Sequence, residues 1–196
     1  MKKQYIIGIV SILVIITLVF IFKRDTVAPT VTESDISTYI NPLQTFSIDI
    51  PKGFATDDTY SYVISAGRNI KGIKFTVPKS LTEGTNLSND SYIAVETIPN
   101  ADYCTAERFF DFAPQVPDTM TEDGTTYSVN YSKDAGAGNR YEETVYAVKD
   151  SNPCIAIRYF MHYTVVENYP EDTVKEFDHA GLIAQFNAIR KSLKVK

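Results

Sequence analysis

Residues able to do nucleophilic or metal chemistry are few in this sequence. It holds two histidines, His162 and His179, and two cysteines, Cys104 and Cys154. A hydrolytic triad needs an activated Ser or Cys with a base in hydrogen-bond reach. There is no Gly-x-Ser-x-Gly; His162 sits between Met161 and Tyr163 in an alternating run, and His179 follows Asp178 in a helical one. Each reads as an ordinary core or surface histidine. Two distant histidines without HxxxH or HExxH spacing make no predictable zinc site. The adjacent carboxylate pairs Asp57-Asp58 and Glu122-Asp123 fall in turn compositions and read as surface acidity. Glu142 and Glu143 lie in a candidate strand, where neighbours point to opposite faces and cannot flank one substrate together. Gly136-Ala137-Gly138-Asn139 matches neither the phosphate-loop nor the dinucleotide spacing and reads as a flexible connection. No catalytic, cofactor-binding or metal-ligating residue is expected, and no cofactor.

The two cysteines lack CxxC spacing and nearby histidine ligands, so Cys104 and Cys154 read as a disulfide formed in an oxidising compartment; two buried free thiols are the alternative. Tyrosine is the other conspicuous type, with 13 Tyr and no Trp. Tyr127, Tyr131, Tyr141, Tyr146, Tyr159 and Tyr163 lie on three candidate strands. If several share an exposed face, they form an amphipathic surface for a glycan, peptide or protein. The competing reading is strand propensity in a half-buried sheet.

Charge and hydropathy say where these residues work. Tyr5 to Phe22 carries no charge, and 18 apolar residues at 1.5 Å each give about 27 Å, close to the thickness of a bilayer's hydrocarbon core. Residues 1–24 are therefore expected to be a membrane anchor, transmembrane over 5–22. Val27-Ala28-Pro29 makes a poor cleavage site, which favours an uncleaved signal-anchor over a cleaved secretory signal; either would export the rest of the chain. Four of the 19 basic residues flank this run, so fifteen face all 24 acidic residues beyond residue 24, a net charge of −9. That balance excludes nucleic acid as a partner. The basic cluster Arg190, Lys191, Lys194 and Lys196 reads as the charge-complementary end of a helix.

Residues 25–39, rich in Thr, Ser and acids without apolar periodicity, are expected to be a solvated tether, and 40–196 one extracytoplasmic domain. Phe46, Ile48 and Ile50 alternate in a strand stopped by Pro51-Lys52-Gly53. Further strands are predicted at 60–66, 70–77, 92–98, 125–131, 140–148 and 154–163. The last two, joined by Lys149-Asp150-Ser151-Asn152-Pro153, are expected to pair antiparallel. One helix is predicted over 103–112, capped by Asp102 and ended by Pro114, and another from Asp172 to Leu193. The expected fold class is α+β: an antiparallel β-sheet packed by two helices, preceded by one transmembrane helix.

Phe46-Ser47-Ile48-Asp49-Ile50-Pro51-Lys52-Gly53-Phe54 and Phe186-Asn187-Ala188-Ile189-Arg190-Lys191-Ser192-Leu193 resemble the two ends of PsbP-like domains. That family is named for an extrinsic protein of the photosynthetic oxygen-evolving complex and includes many exported bacterial proteins. Residues 152–194, with Asn152-Pro153-Cys154-Ile155-Ala156 and Glu167-Asn168-Tyr169-Pro170, are also similar to exported bacterial proteins that lend no chemistry. The PsbP-like resemblance implies a sandwich with a central antiparallel sheet and a non-catalytic accessory role at a membrane surface.

Three functions are compatible with these features. The first is a non-catalytic envelope domain, localised at the cell membrane by a single pass and facing the periplasm or cell exterior, that binds an envelope protein or cell-wall component. The second is a hydrolase of a cell-envelope substrate, using carboxylates brought together from separate strands. The third is a structural subunit of a membrane assembly.

Overall fold

The computed structural model describes residues 35–65, 67–111 and 116–196. The expected anchor at 1–24 and most of the tether lie outside these residues. Among the described residues no helix is long and apolar enough to cross a membrane.

Among the described residues there are eleven strands: β1 Ile36–Ile40, β2 Phe46–Pro51, β3 Ala55–Asp57, β4 Ser61–Ser65, β5 Arg68–Thr76, β6 Tyr92–Ile98, β7 Asp118–Glu122, β8 Thr125–Gly136, β9 Asn139–Val148, β10 Cys154–Thr164 and β11 Lys194–Val195. The α-helices among these residues are a single turn, α1 (Lys79–Thr82), and α2 (His179–Lys191). The chain is thus predominantly β, which corrects the expectation of a sheet packed by two helices.

The two helix predictions fail for identifiable reasons. Over 103–112 only a 3-10 turn forms, at Ala106–Phe109. A short helix is marginal without help, and this segment spends its bonds on the sheet. Cys104 is bridged to Cys154 at the start of β10, and the Ala106 N–H donates to Ser128 Oγ. The helix expected from Asp172 begins only at His179. Before it, the chain is drawn out beside the 84–86 loop: Lys175 N–H donates to Gly84 O, Asn86 N–H to Lys175 O, and Phe177 N–H to Asn86 Oδ1. Asp178 then caps α2 by accepting from Gly181 N–H at 2.8 Å. Residues 36–39, read from sequence as tether, belong to β1, which pairs along β2.

The large sheet is antiparallel throughout, in the order β3-β5-β6-β10-β9-β8-β7, with β4 also on the outer edge of β5. β9 and β10 are neighbours, as their connecting turn implied. Gly136 to Asn139 forms the β8–β9 hairpin turn, with positive φ at Ala137 and Gly138 (50° and 81°) as a tight two-residue turn requires. A second sheet, β1-β2-β11, lies with α2 over one face of the large one. The buried Phe46, Ile48 and Ile50 of β2 meet Ile73, Phe75, Ile93, Val95, Ile155 and Ile157, together with Leu182, Phe186 and Ile189 of α2. The opposite face is covered at one end only, where Cys104, Ala106, Phe109 and Phe110 pack on Val145, Ala147 and Ala156. The remainder of that face is open and carries the site.

Candidate functional site

Register assembles the open face row by row. Ser132, Glu143, Phe160 and Tyr92 lie opposite one another across β8, β9, β10 and β6; the next row is Asp134, Tyr141 and His162. A cleft of about 560 Å³ opens here, lined by Tyr62, Phe110, Asp111, Ser132, Asp134, Tyr141, Glu143 and Phe160. β4 supplies Tyr62, and the disulfide-tied segment supplies Phe110 and Asp111. Phe160 stacks on Tyr92 with ring centroids 4.9 Å apart, and Tyr141 stacks on His162 at 4.5 Å, so the aromatic floor continues beyond the lining.

A buried charge network lies under this floor. Arg158, fully buried in β10, donates from Nε to Glu96 at 2.7 Å, from Nη2 to Glu96 at 3.0 Å and to Phe109 O at 2.6 Å, and from Nη1 to Glu143 at 2.8 Å. Glu96 is equally buried, while the Glu143 side chain keeps 16% of its surface at the cleft. The Tyr62 ring lies 3.6 Å from the guanidinium carbon, and its hydroxyl donates to Glu143. Tyr60 donates to Glu96 at 2.7 Å. Burial favours the uncharged form of Tyr62 and, against the pull of Arg158, pushes its pKa up to about 12, which keeps this donor protonated. Burial alone would lower the Arg158 pKa; Glu96 and then Glu143 outweigh it and raise it.

The sequence-derived tyrosines divide between the two faces. Tyr127, Tyr131, Tyr146, Tyr159 and Tyr163 share the face under α2, and Tyr141 alone is on the cleft face. On the covered face the partner is the chain's own Arg190: its guanidinium lies 5.0 Å from the Tyr127 ring and 4.5 Å from Tyr146, and its Nε donates to the Tyr159 hydroxyl. Tyr163 donates to Glu142, and Tyr131 is 49% exposed. Arg190 and Lys191 of the basic cluster also pair with Glu122. Glu142 and Glu143 point to opposite faces, as strand geometry required.

The histidines lie outside the cleft lining. His162 Nδ1 meets Asp90 at 2.8 Å and Nε2 meets Asn139 Oδ1 at 2.9 Å; His179 lies 3.3 Å from Glu142. Among the described residues no group of three or more His, Cys, Asp or Glu side chains is placed to hold a metal ion. Cys104 and Cys154 form the disulfide, which marks the domain as extracytoplasmic.

Sequence reasoning did not single out Tyr62, Phe110, Phe160 or the Glu96–Arg158 pair. One signal was available: Arg158 interrupts the otherwise apolar run Ile155-Ala156-Ile157 to Tyr159-Phe160-Met161, and a charge there demands a buried partner.

No protein-family model and no curated protein matches this chain. Solved structures similar to it include the following two. A crystal structure from Bacteroides thetaiotaomicron VPI-5482 is 10% identical with a TM-score of 0.46, over 83% of this chain and 49% of that one. The chain thus spans about half the length of that relative. The solution structure of cyanobacterial PsbP (CyanoP) from Synechocystis sp. PCC 6803 is 12% identical with a TM-score of 0.44, over 86% of this chain and 97% of that one. The second of these structures bears the name of the PsbP family that residues 46–54 and 186–193 resemble.

Proposed function

We propose that this is a non-catalytic binding domain of the bacterial envelope, held at a membrane by residues 5–22, whose ligand seats in the cleft between β4, β8–β10 and the disulfide-tied segment. The observation that carries this reading is the cleft itself. It is of ligand size and walled by aromatic rings, with a few polar groups held rigidly by a satisfied network beneath. Glu143 is fixed by Arg158 and Tyr62, while His162 is engaged by Asp90 and Asn139 and His179 by Glu142, an arrangement suited to recognition rather than to proton transfer. The uncharged run from Tyr5 to Phe22 supports the anchorage.

The test is photo-crosslinking in the native cells, with a photoreactive amino acid replacing Tyr141 in the cleft or Val63, an exposed control. A discrete adduct from position 141 that is absent from position 63 is expected. Identical adducts from both positions, or none from 141, would overturn the assignment of the cleft.

A further inference from the structure

If the cleft is the binding site, as proposed above, its walls also define the chemistry of what it binds. Tyr62, Phe110, Tyr141 and Phe160 supply rings, and Asp111, Asp134 and Glu143 supply carboxylates. Among the described residues that line it there is no lysine, arginine or histidine. Asp111 and Asp134 are exposed at its rim. Beneath it, Arg158 is shared between Glu96 and Glu143, so a single guanidinium serves two acidic side chains. A cation enters such a space attracted both by the carboxylates and by the negative faces of the rings. The domain already uses this mode internally, as where Lys74 lies over Tyr60 and Tyr92 while paired with Asp57. Arg158 lies against Tyr62 while bonded to Glu143, and Arg190 lies against Tyr127 and Tyr146 while bonded to Glu122. A neutral sugar would use the rings and leave the carboxylates without a counter-charge.

We infer that the cleft receives the side chain of a lysine or arginine carried by a peptide or protein partner. The charged head meets Asp134, Asp111 and the open edge of Glu143, and the aliphatic stem lies along the rings. Neutralising the two rim carboxylates removes attraction without disturbing the buried Arg158 network.

The experiment is calorimetric titration of the full chain in non-ionic detergent with trilysine and triarginine, alongside the uncharged isostere tricitrulline, the free polyamine spermidine and the neutral sugar chitotriose. Saturable binding of a cationic tripeptide is expected, about tenfold tighter than tricitrulline. The loss should be similar in Asp111→Asn/Asp134→Asn and absent in the control Asp58→Asn/Glu83→Gln, which removes two charges elsewhere. Equal losses in both double variants would reduce the effect to net charge and overturn the inference. Spermidine binding more tightly than either peptide would overturn the peptide source. Chitotriose binding that depends on Tyr141, with both cationic peptides silent, would overturn the cation and leave the cleft standing. Silence from every probe, with no adduct from position 141, would overturn both.

Discussion

Arg158 is the residue on which most of the cleft depends. Its guanidinium joins β6 through Glu96, β9 through Glu143, and the disulfide-tied segment through Phe109 O. Removing one partner of a buried pair leaves the other as an uncompensated charge, which costs about 3–5 kcal/mol, whereas replacing both with apolar groups is far milder. Arg158→Met should therefore lower unfolding free energy in urea by about that amount, and Glu96→Leu/Arg158→Met by clearly less than the sum of the single changes. Losses that simply add in the double variant would show that the two side chains are uncoupled and act only through their packing volume. The presence of a buried partner was readable from Arg158 alone, because an arginine in a strand covered on both faces has no other place to put its charge. Which partner it takes was not, since Glu96 lies 62 residues away in sequence.

At the scale of elements, alternation was legible wherever one face of a strand is buried. Phe46, Ile48 and Ile50 of β2 all point into the core as their spacing implied. β7 went unread although Asp123-Gly124 is a hairpin signature, with positive φ at both residues (50° and 80°). Its residues Asp118–Glu122 are polar and half exposed and carry no hydrophobic period. The start of α2 was misplaced for a different reason. Val174 and Phe177 fit a helical stripe, but backbone bonds to Gly84 and Asn86 hold them in an extended segment, and no periodicity reports such a tertiary competitor. The helix begins where Asp178 can cap it. Asp178→Ala should cost about 1 kcal/mol and Asp178→Ser should restore most of it, measured by thermal unfolding. An unchanged midpoint in the alanine variant would mean that packing of Leu182, Phe186 and Ile189 alone sets this end of the helix.

For the whole molecule, the cleft was almost illegible in sequence. Its lining comes from positions 62, 110–111, 132–143 and 160, and of these only Tyr141 stands out in the sequence as a surface candidate. Ser132, Glu143 and Phe160 become one row only through the β8–β9–β10 register, and a slip of one residue would send each to the opposite face. The disulfide was legible because cysteine arithmetic left few options. Closing about 50 residues, it should contribute about 4 kcal/mol. The unreduced protein should take up no alkylating reagent after denaturation, and reduction should lower its urea midpoint accordingly. Acid should act through specific carboxylates. Burial tends to raise the Glu142 pKa, but the hydrogen bonds from Tyr163, Lys133 and His179 prevail and hold it below 4.5. Lys191 and Arg190 lower that of Glu122. Their stabilisation is complete above about pH 4.5 and is lost as pH falls through the depressed values. Glu142→Gln should therefore flatten the acid limb of a stability–pH curve while changing its shape little above pH 6. An acid limb identical to that of the parent would remove Glu142 from this account.

β2 has β1 on one side and the two residues of β11 on the other, with Lys196 N–H donating to Thr45 O. The small sheet therefore joins strands almost 150 residues apart in sequence. A chain emerging from a ribosome or a translocation channel with its amino-terminal end leading leaves Phe46, Ile48 and Ile50 incompletely covered, and one edge of β2 unpaired, until α2 and Lys194 have emerged in turn. In that interval β2 offers an unpaired edge and a partly covered apolar face to any neighbour, and this is the window in which a chaperone would find something to grip.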